Sequence, residues 1–327
     1  MAVYTQLSHE QIAAFLAQAY DVGALVEAQG IAQGVENTNY RLTLCDATGA
    51  TQHSILTLYE QRVTPQDVPF FLSLMRHVAQ AGAACPTPVV RRDGTLYGAV
   101  AGKMAALVSF LPGKSRTEWG VTQVAAVGEA LAMLHRSTAH FSGTRANDLS
   151  LNGWQTLYKK TKDKLENIEH GLEKMLQHEL QHLSAHWPVD LHPRGVIHAD
   201  LFPDNVFFEG DRVSGMIDFY FACHDALSYD VAITLNAWCF EADWAFNPEK
   251  SRALLAAYQQ IRPLTREEIA ALPVLLRGAA LRFLLTRAHD WIFRAPDALV
   301  TPHDPREYIA KLNFHQSVTD GSIYGAA

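Results

Sequence analysis

The chain lacks the features that mark most specialised protein classes. Lys and Arg number 27 against 34 Asp and Glu, a formal balance of −7, and no run of five or more basic residues occurs anywhere. A polyanion such as nucleic acid therefore finds no basic face and is not an expected partner. Cysteine is scarce. Cys45, Cys85, Cys223 and Cys239 are widely spaced with no CxxC pair, which excludes a disulfide frame or a thiolate zinc site and points to a reducing compartment. The opening MAVYTQLSHEQ has neither a basic nor an apolar signal region, so no export signal is visible and the cytoplasm is expected. No uninterrupted apolar stretch approaches the ~18 residues that span a bilayer, so no membrane is expected. What remains is an ordinary globular composition, 48% hydrophobic and 19% charged over 327 residues, long enough for one large domain or two lobes.

Periodicity divides the chain. Ser8 and Gln11 stand in capping-box spacing ahead of Ile12, Phe15, Leu16 and Ala19, predicting a helix over 8–20. Strands are expected over 24–33, 38–45 and 52–60, with a turn at Gly34–Asn37. A helix is expected over 65–82. The segments 89–91 and 96–100 bracket Arg92-Asp93-Gly94-Thr95, a hairpin signal. After the apolar run 104–111, Pro112-Gly113 marks the clearest boundary, and helices dominate beyond it: 117–139, 153–186, 227–241, 248–261, and 265–292 interrupted at Pro273. Short strands near 195–197, 205–208 and 212–217 are the exception. A small β-rich lobe thus precedes a larger helical one, and such junctions commonly hold ligands.

One segment carries chemistry. An apolar strand enters the polar loop His198-Ala199-Asp200-Leu201-Phe202-Pro203-Asp204-Asn205, a hairpin turns at Glu209-Gly210-Asp211, and the returning strand ends in Asp218. Phosphoryl transfer requires a carboxylate near the acceptor hydroxyl and hard oxygen ligands for a magnesium ion that bridges the phosphates. Asp200 supplies the first, and Asn205 and Asp218, brought together by the hairpin, supply the second. A lone HxD would be read as a loop histidine beside turn acids. The full spacing is far more specific.

These residues resemble the aminoglycoside phosphotransferase/choline kinase superfamily, with its protein-kinase-like α+β fold of two lobes. The resemblance implies that Asp200 is the catalytic base, that Asn205 and Asp218 hold magnesium, that His198 orients the loop, and that Asp225 and Asp230 buttress it. GVENTNYRL at 34–42, ILTLYE at 55–60, SFLPGKS at 109–115, RANDLSLNGW at 145–154, the run 217–240 and RFLLTRAHDW at 282–291 are similar to the bacterial homoserine kinase branch. That implies ATP and magnesium as cofactors and an L-homoserine hydroxyl as acceptor, a step of threonine biosynthesis. The implied organisation is a nucleotide-binding lobe over 1–108, a hinge at 109–113, a catalytic and substrate lobe over 114–315 and a disordered tail over 316–327.

The sequence departs from a generic kinase in the small lobe. The usual third-strand Lys is replaced by Thr57, and the helix 65–82 has no Glu to pair with it. Both halves of the pair are gone, so phosphate charge is handled otherwise, with Arg41 and Lys103 as possible substitutes; in the homoserine kinase branch Thr is usual here. Gly34, Asn37 and Asn39, with Gly30 and Glu36, form a turn whose backbone could meet phosphates, or an ordinary hairpin turn. Thr57 lies beside it, and Ser109–Leu111 would be the hinge that meets adenine. A second motif, His178-Glu179-Leu180-Gln181-His182, matches HExxH, but Ala185 and Pro188 stand where a longer zinc signature needs Gly and His. Its histidines flank an apolar stripe, as on a solvated face.

An amino-acid substrate would need an Arg for its carboxylate and an acid for its ammonium. Arg145, Arg282, Arg287, Asp225 and Glu241, with Asp200 at the hydroxyl, are the candidates, each equally readable as a structural ion pair. Three readings follow: an amino-acid hydroxyl kinase, a kinase for choline, an aminoglycoside or another small alcohol, and a non-catalytic nucleotide-binding pseudokinase. Oligomeric state is not legible.

Overall fold

Ser8 and Gln11 close the expected capping box, and α1 runs over His9–Ala19 with Ile12, Phe15, Leu16 and Ala19 buried. The stripe is buried because the helix lies on an antiparallel sheet of five strands in the order β1-β2-β3-β5-β4. These are β1 Ala24–Gly30, β2 Thr38–Cys45, β3 Thr51–Leu58, β4 Gly98–Val100 and β5 Lys103–Ser109. Strand alternation sorts the two faces. Leu42, Leu44, Leu56, Leu58 and Leu107 pack with α1, whereas Ile55, Ala106 and Val108 turn toward the rest of the molecule. The structure is a computed structural model and describes residues 5–31, 37–60, 63–294, 302–318 and 321–326.

Helix α2, Val68–Gln80, buries Phe71, Leu72, Leu74, Met75 and Val78 in the same apolar cluster that fills the larger lobe. The lobes therefore share a continuous core through α2. The larger lobe comprises α3 Val121–Ser137, α4 Leu151–Thr161, α5 Leu172–His186, α6 Leu227–Trp238, α7 Pro248–Ile261, α8 Arg266–Ile292 and α9 Arg306–Ser317. Two small ladders lie among them: β6 Arg194–Ile197 with β9 Cys223–Ala226, and β7 Val206–Glu209 with β8 Arg212–Met216. This is the two-lobed α+β architecture that the sequence predicts. Helix α6 is buried along its whole length, its polar groups included, because Asp230, Thr234 and Asn236 find hydrogen-bond partners inside the core. Helices α3 and α7 meet so closely that a Cβ on Gly128 would sit 2.3 Å from the Leu254 carbonyl oxygen.

Several elements differ from expectation. The hairpin at 92–95 is a turn held by the Asp93 side chain, but its arms do not pair with each other. Instead β4 pairs with β5 across Ala101-Gly102, both at positive φ as a tight two-residue turn requires, and Val89 bonds to Leu107 further along β5. The helix expected over 153–186 is broken by Gly171, whose φ of +81 is left-handed and whose amide is held by Glu166. Conversely α8 runs straight through Pro273. The lost backbone bond and ring clash cost about 3 kcal/mol, whereas burial of Leu272, Leu275, Leu276, Leu281, Leu284 and Leu285 stabilises by roughly 1.5–3 kcal/mol each. Among the described residues α8 is also the one helix long and apolar enough to cross a membrane, yet most of that stretch is buried inside the protein, as in a core helix.

The C-terminal residues, expected to be disordered, are packed where described. Tyr324 is fully buried; its carbonyl accepts from Ser251 Oγ at 2.8 Å and its hydroxyl meets His315 Nδ1 at 2.9 Å. His315 Nε2 lies 3.1 Å from Asn236 Oδ1. An amide oxygen only accepts, so Nε2 carries the proton and Nδ1 accepts from the tyrosine. One aromatic side chain thus fastens a segment that composition alone assigns to disorder. Burial, helped by the charges of Lys311 and Arg277, pushes the His315 imidazole down to about 3. The unfolded residue titrates near 6.5, so the unfolded chain gains protons that the folded one does not. This contribution to stability is complete above about pH 6.5 and is lost at roughly 1.4 kcal/mol per pH unit as pH falls toward 3. Between pH 7 and 5, urea unfolding of His315→Asn should lose about 2 kcal/mol less than the parent chain. Parallel pH profiles would contradict this.

Candidate active site

Val196 and Ile197 at the end of β6 are buried, and β6 pairs with β9 through Ile197↔Cys223. The chain must then turn sharply into the polar loop. It does so through Ala199, whose φ of +64 is left-handed and costs a residue with a Cβ about 1–3 kcal/mol. That conformation aims two successive N–H groups at one carboxylate. The amides of His198 and Ala199 donate to Asp230 Oδ2 and Oδ1 at 2.7 and 2.9 Å. The Ala199 carbonyl is held from the other side by the buried guanidinium of Arg282.

His198 is fully buried. Its Nε2 lies 3.0 Å from the Ile217 carbonyl and its Nδ1 accepts from the Asp200 amide at 3.3 Å. A carbonyl only accepts and an amide only donates, so the ring is a neutral Nε2–H tautomer. Burial lowers its pKa, and Asp230 and Ile217 only partly oppose that. His198 therefore ties the loop to the residue preceding Asp218. On the same loop, Asn205 Nδ2 donates to the Asp200 carbonyl at 2.9 Å and to its Oδ2 at 3.1 Å, and the Ile217 amide donates to the Asn205 carbonyl at 2.9 Å. The structure thus gathers Asp200, Asn205 and Asp218 as their spacing predicts. Asp218 is itself left-handed at φ +65.

Behind the loop runs a buried polar chain that sequence reasoning missed. His135 on α3 places Nε2 3.1 Å from Asp230 and Nδ1 2.7 Å from the Tyr258 hydroxyl on α7. Arg262 donates to that hydroxyl at 2.8 Å and pairs with buried Glu268 at 2.7 Å. Burial raises the Tyr258 phenol, which keeps it a donor toward His135, so the chain from Arg262 through Tyr258 and His135 donates toward Asp230. Burial also pushes the Asp230 carboxyl up, but the hydrogen bonds from the His135 ring and the His198 amide outweigh it and hold Asp230 below its ordinary value. The one available signal was Leu134-His135, a buried histidine on an apolar helix face, which by itself reads as a core residue.

The small-lobe candidates are partly resolved. Gly34 lies outside the described residues. Asn37 is buried and its Oδ1 accepts from the Glu60 amide at 3.3 Å; Thr57 donates to Asn39 Oδ1 at 2.7 Å across the β2–β3 ladder. Lys103, weighed as a phosphate cation, pairs with Glu60 at 3.0 Å. Arg41 bonds to His53 at 3.0 Å and lies over the Phe110 ring at 5.1 Å. Ser109 exchanges hydrogen bonds with Thr87. Leu111 packs on Gly215, and Gly113, at φ +88, lies against Ser214 and Phe208 where a side chain would collide. Lys114 then pairs with Phe208 on β7, so the hinge is fastened to the hairpin that carries Asp218.

The charged groups expected to meet an amino-acid substrate all have internal partners. Arg145 pairs with Asp67 and Asp148, Asp225 with Arg194 and Asn147, and Glu241 with Lys250 and Asn247. Arg282 holds the loop, and Arg287 pairs with Glu307 at 2.5 Å. In the HExxH sequence, Glu179 is buried and gripped by Arg277 at 2.8 and 2.6 Å, while His182 stacks on His186. Among the described residues no cluster of three His, Cys, Asp or Glu side chains could hold a metal. Asp230→Ala should cost about 3–5 kcal/mol in urea unfolding, because it strands buried donors at the loop. A loss below about 1 kcal/mol would show that the loop holds its shape without this carboxylate.

Residues 27–264, more than half of the chain, match the model of the phosphotransferase enzyme family. The chain is 52% identical over its full length, and all of the relative's, to a homoserine kinase of Azorhizobium caulinodans. It is 50% identical to a homoserine kinase of Agrobacterium fabrum, with 100% of this chain and 99% of that one aligned. Among solved structures it is similar to an amicoumacin kinase in complex with AMP-PNP, Ca2+ and Ami, with a TM-score of 0.65 at 17% identity over 98% of this chain and 94% of that one. The chain therefore belongs to the phosphotransferase enzyme family, on the branch whose curated members are named homoserine kinase.

Proposed function

We propose that the protein transfers the γ-phosphoryl group of ATP to the side-chain hydroxyl of L-homoserine, giving O-phospho-L-homoserine. One observation carries the reading: a loop clamped by Asp230 and Arg282 presents Asp200 in hydrogen-bond contact with Asn205, itself latched to the residue before Asp218. The choice of homoserine rests on the near-50% identity to curated homoserine kinases along the whole length.

Asp200 accepts the hydrogen bond of the substrate hydroxyl, aligns it with the γ-phosphorus and takes its proton as the new P–O bond forms. Asn205 spends its amide nitrogen on Asp200, so Oδ1 is the atom it offers a cation. With the Asp218 carboxylate this makes the hard-oxygen donor set that magnesium prefers, few enough to leave positions for water and phosphate oxygens. Asn205 and Asp218 would hold a magnesium ion there, and it would supply charge neutralisation to the phosphates. His198, neutral and buried, holds no proton in play; it keeps Asp200 and Asp218 in register. ATP would be held between the lobes, with the hinge at Ser109–Leu111 meeting its base and Asn39 and Thr57 on the phosphate side. Positioning and charge stabilisation provide most of the rate.

Of the charged groups weighed for the amino-acid end of the substrate, Arg287 is assigned to the carboxylate. Its guanidinium, which also holds Glu307, lies 4.5 Å from the ring centroid of Tyr308, and Tyr308 reaches Phe202 of the catalytic loop through Phe283. Arg287→Ala should raise the KM for homoserine about tenfold and leave the KM for ATP within about twofold, which steady-state kinetics reads directly. An unchanged homoserine KM would remove that assignment.

Coupled measurement of ADP release with magnesium, ATP and a panel of small alcohols tests the reaction itself. Turnover with homoserine and not with choline or an aminoglycoside is expected. Asp200→Asn should lower kcat by about two orders of magnitude or more with little change in the KM for ATP. Near-normal turnover in that variant would rule out Asp200 as the base.

A further inference from the structure

Thr57 stands where the fold usually carries a Lys, and α2 contains neither Asp nor Glu. The ion pair that couples the third strand to the neighbouring helix is therefore missing as a pair. Without it, some other contact must set β3 and α2 against the loop that carries Asp218. Three aromatic rings meet there. Tyr59 follows β3 directly, Phe71 lies on α2, and Tyr220 comes two residues after Asp218. The Tyr220 ring packs edge-to-face on Tyr59, with centroids 5.5 Å apart at 85°, and on Phe71 at 5.6 Å and 81°. Tyr59 and Phe71 are 4% and 1% exposed, so this is an interior contact between the lobes.

The surroundings point the same way. The Arg145 guanidinium lies over the outer side of the cluster, 5.4 Å from the Phe71 centroid. It pairs with Asp67 at the start of α2 at 3.1 Å and reaches the Ala222 carbonyl at 3.5 Å. On the opposite side Phe219 rests on His198, ring to ring at 4.7 Å. Asp218 is thus followed by one anchor in the large lobe and one in the small lobe. Its own backbone is left-handed, a strained conformation that persists only when its surroundings hold it.

We propose that Tyr59, Phe71 and Tyr220 form an uncharged clasp that positions the Asp218 carboxylate on the metal–nucleotide complex, in place of the strand–helix ion pair. The proposal rests on the reading of Asp218 as a metal ligand. It has a distinctive consequence. A neutral clasp supplies no fixed cation to the triphosphate, so the metal carries more of the neutralisation, and a displaced Asp218 shows first as weakened magnesium activation. Tyr59, Phe71 and Tyr220 are positioning residues here and touch no reacting atom.

The test is the rate of ADP formation against free magnesium at saturating ATP and homoserine, with thermal melting measured alongside. Tyr220→Leu keeps an apolar side chain and removes the ring; Tyr220→Phe keeps the ring and removes the hydroxyl. Tyr220→Leu should raise the half-activating magnesium concentration about five- to tenfold, and Tyr220→Phe should restore it to within about twofold of the parent. Phe71→Leu added to Tyr220→Leu should raise it by much less than Phe71→Leu does alone, because both remove the same contact. Magnesium activation unchanged in Tyr220→Leu, or equally impaired in Tyr220→Phe, overturns the clasp and leaves the metal reading standing. A parent rate indifferent to magnesium overturns both.

Discussion

Asp230 is the group on which the large lobe depends. A fully buried carboxylate is expensive unless donors surround it, and here they arrive from three places: the amides of His198 and Ala199, and the His135 imidazole. The exchange serves the loop as much as the acid. Ala199 adopts a left-handed conformation that its Cβ disfavours, and the two amide bonds, with Arg282 on the next carbonyl, offset that strain. The rest of the lobe follows from keeping this arrangement dry. Asp230 sits on α6, which is buried throughout, and the low dielectric of that core strengthens each bond to it. Gly128 lets α3 approach the backbone of α7, and that closeness allows His135 and Tyr258 to meet.

The legible part of the site is the part compressed in sequence. Asp200, Asn205 and Asp218 lie within nineteen residues of one another, joined by a hairpin whose turn residues are explicit, so spacing alone determines that they converge. His135, Tyr258 and Arg282 act on the same loop from helices about 65, 60 and 80 residues away from it, and single buried polar residues on apolar faces give no sign of their partner. The same limit explains the misread elements. Pro273 is judged locally by backbone preference, whereas the outcome depends on what the helix buries, and α8 is held by a full leucine core; Gly171 goes unweighed inside a continuous apolar period that its left-handed backbone interrupts. Tyr324 looked like part of a frayed end because its pocket is built from α7 and α9. The HExxH match fails for a related reason, since the buried partner of Glu179 is Arg277, nearly a hundred residues downstream.

The small lobe shows how a fold can keep its function while losing a familiar charge pair. Arg41 and Lys103, the two cations weighed as replacements for the strand Lys, are engaged by His53 and Phe110 and by Glu60. Coupling between the lobes instead runs through uncharged rings, through Arg145, and through backbone bonds from the β7–β8 hairpin to Lys114 and to Ala84 beyond α2. The shared apolar core through α2 makes these contacts mutually dependent.

In the proposed reaction the clamped loop delivers Asp200 to the acceptor while Asn205 and Asp218 face the nucleotide. A crystal structure of the protein with magnesium, homoserine and a non-hydrolysable ATP analogue tests it most directly. The account predicts the homoserine hydroxyl oxygen within about 2.6–3.2 Å of an Asp200 carboxylate oxygen, with the metal bound by Asn205 and Asp218 and the backbone at Ala199 still left-handed. A hydroxyl placed away from Asp200, or a metal bound without Asp218, would contradict it.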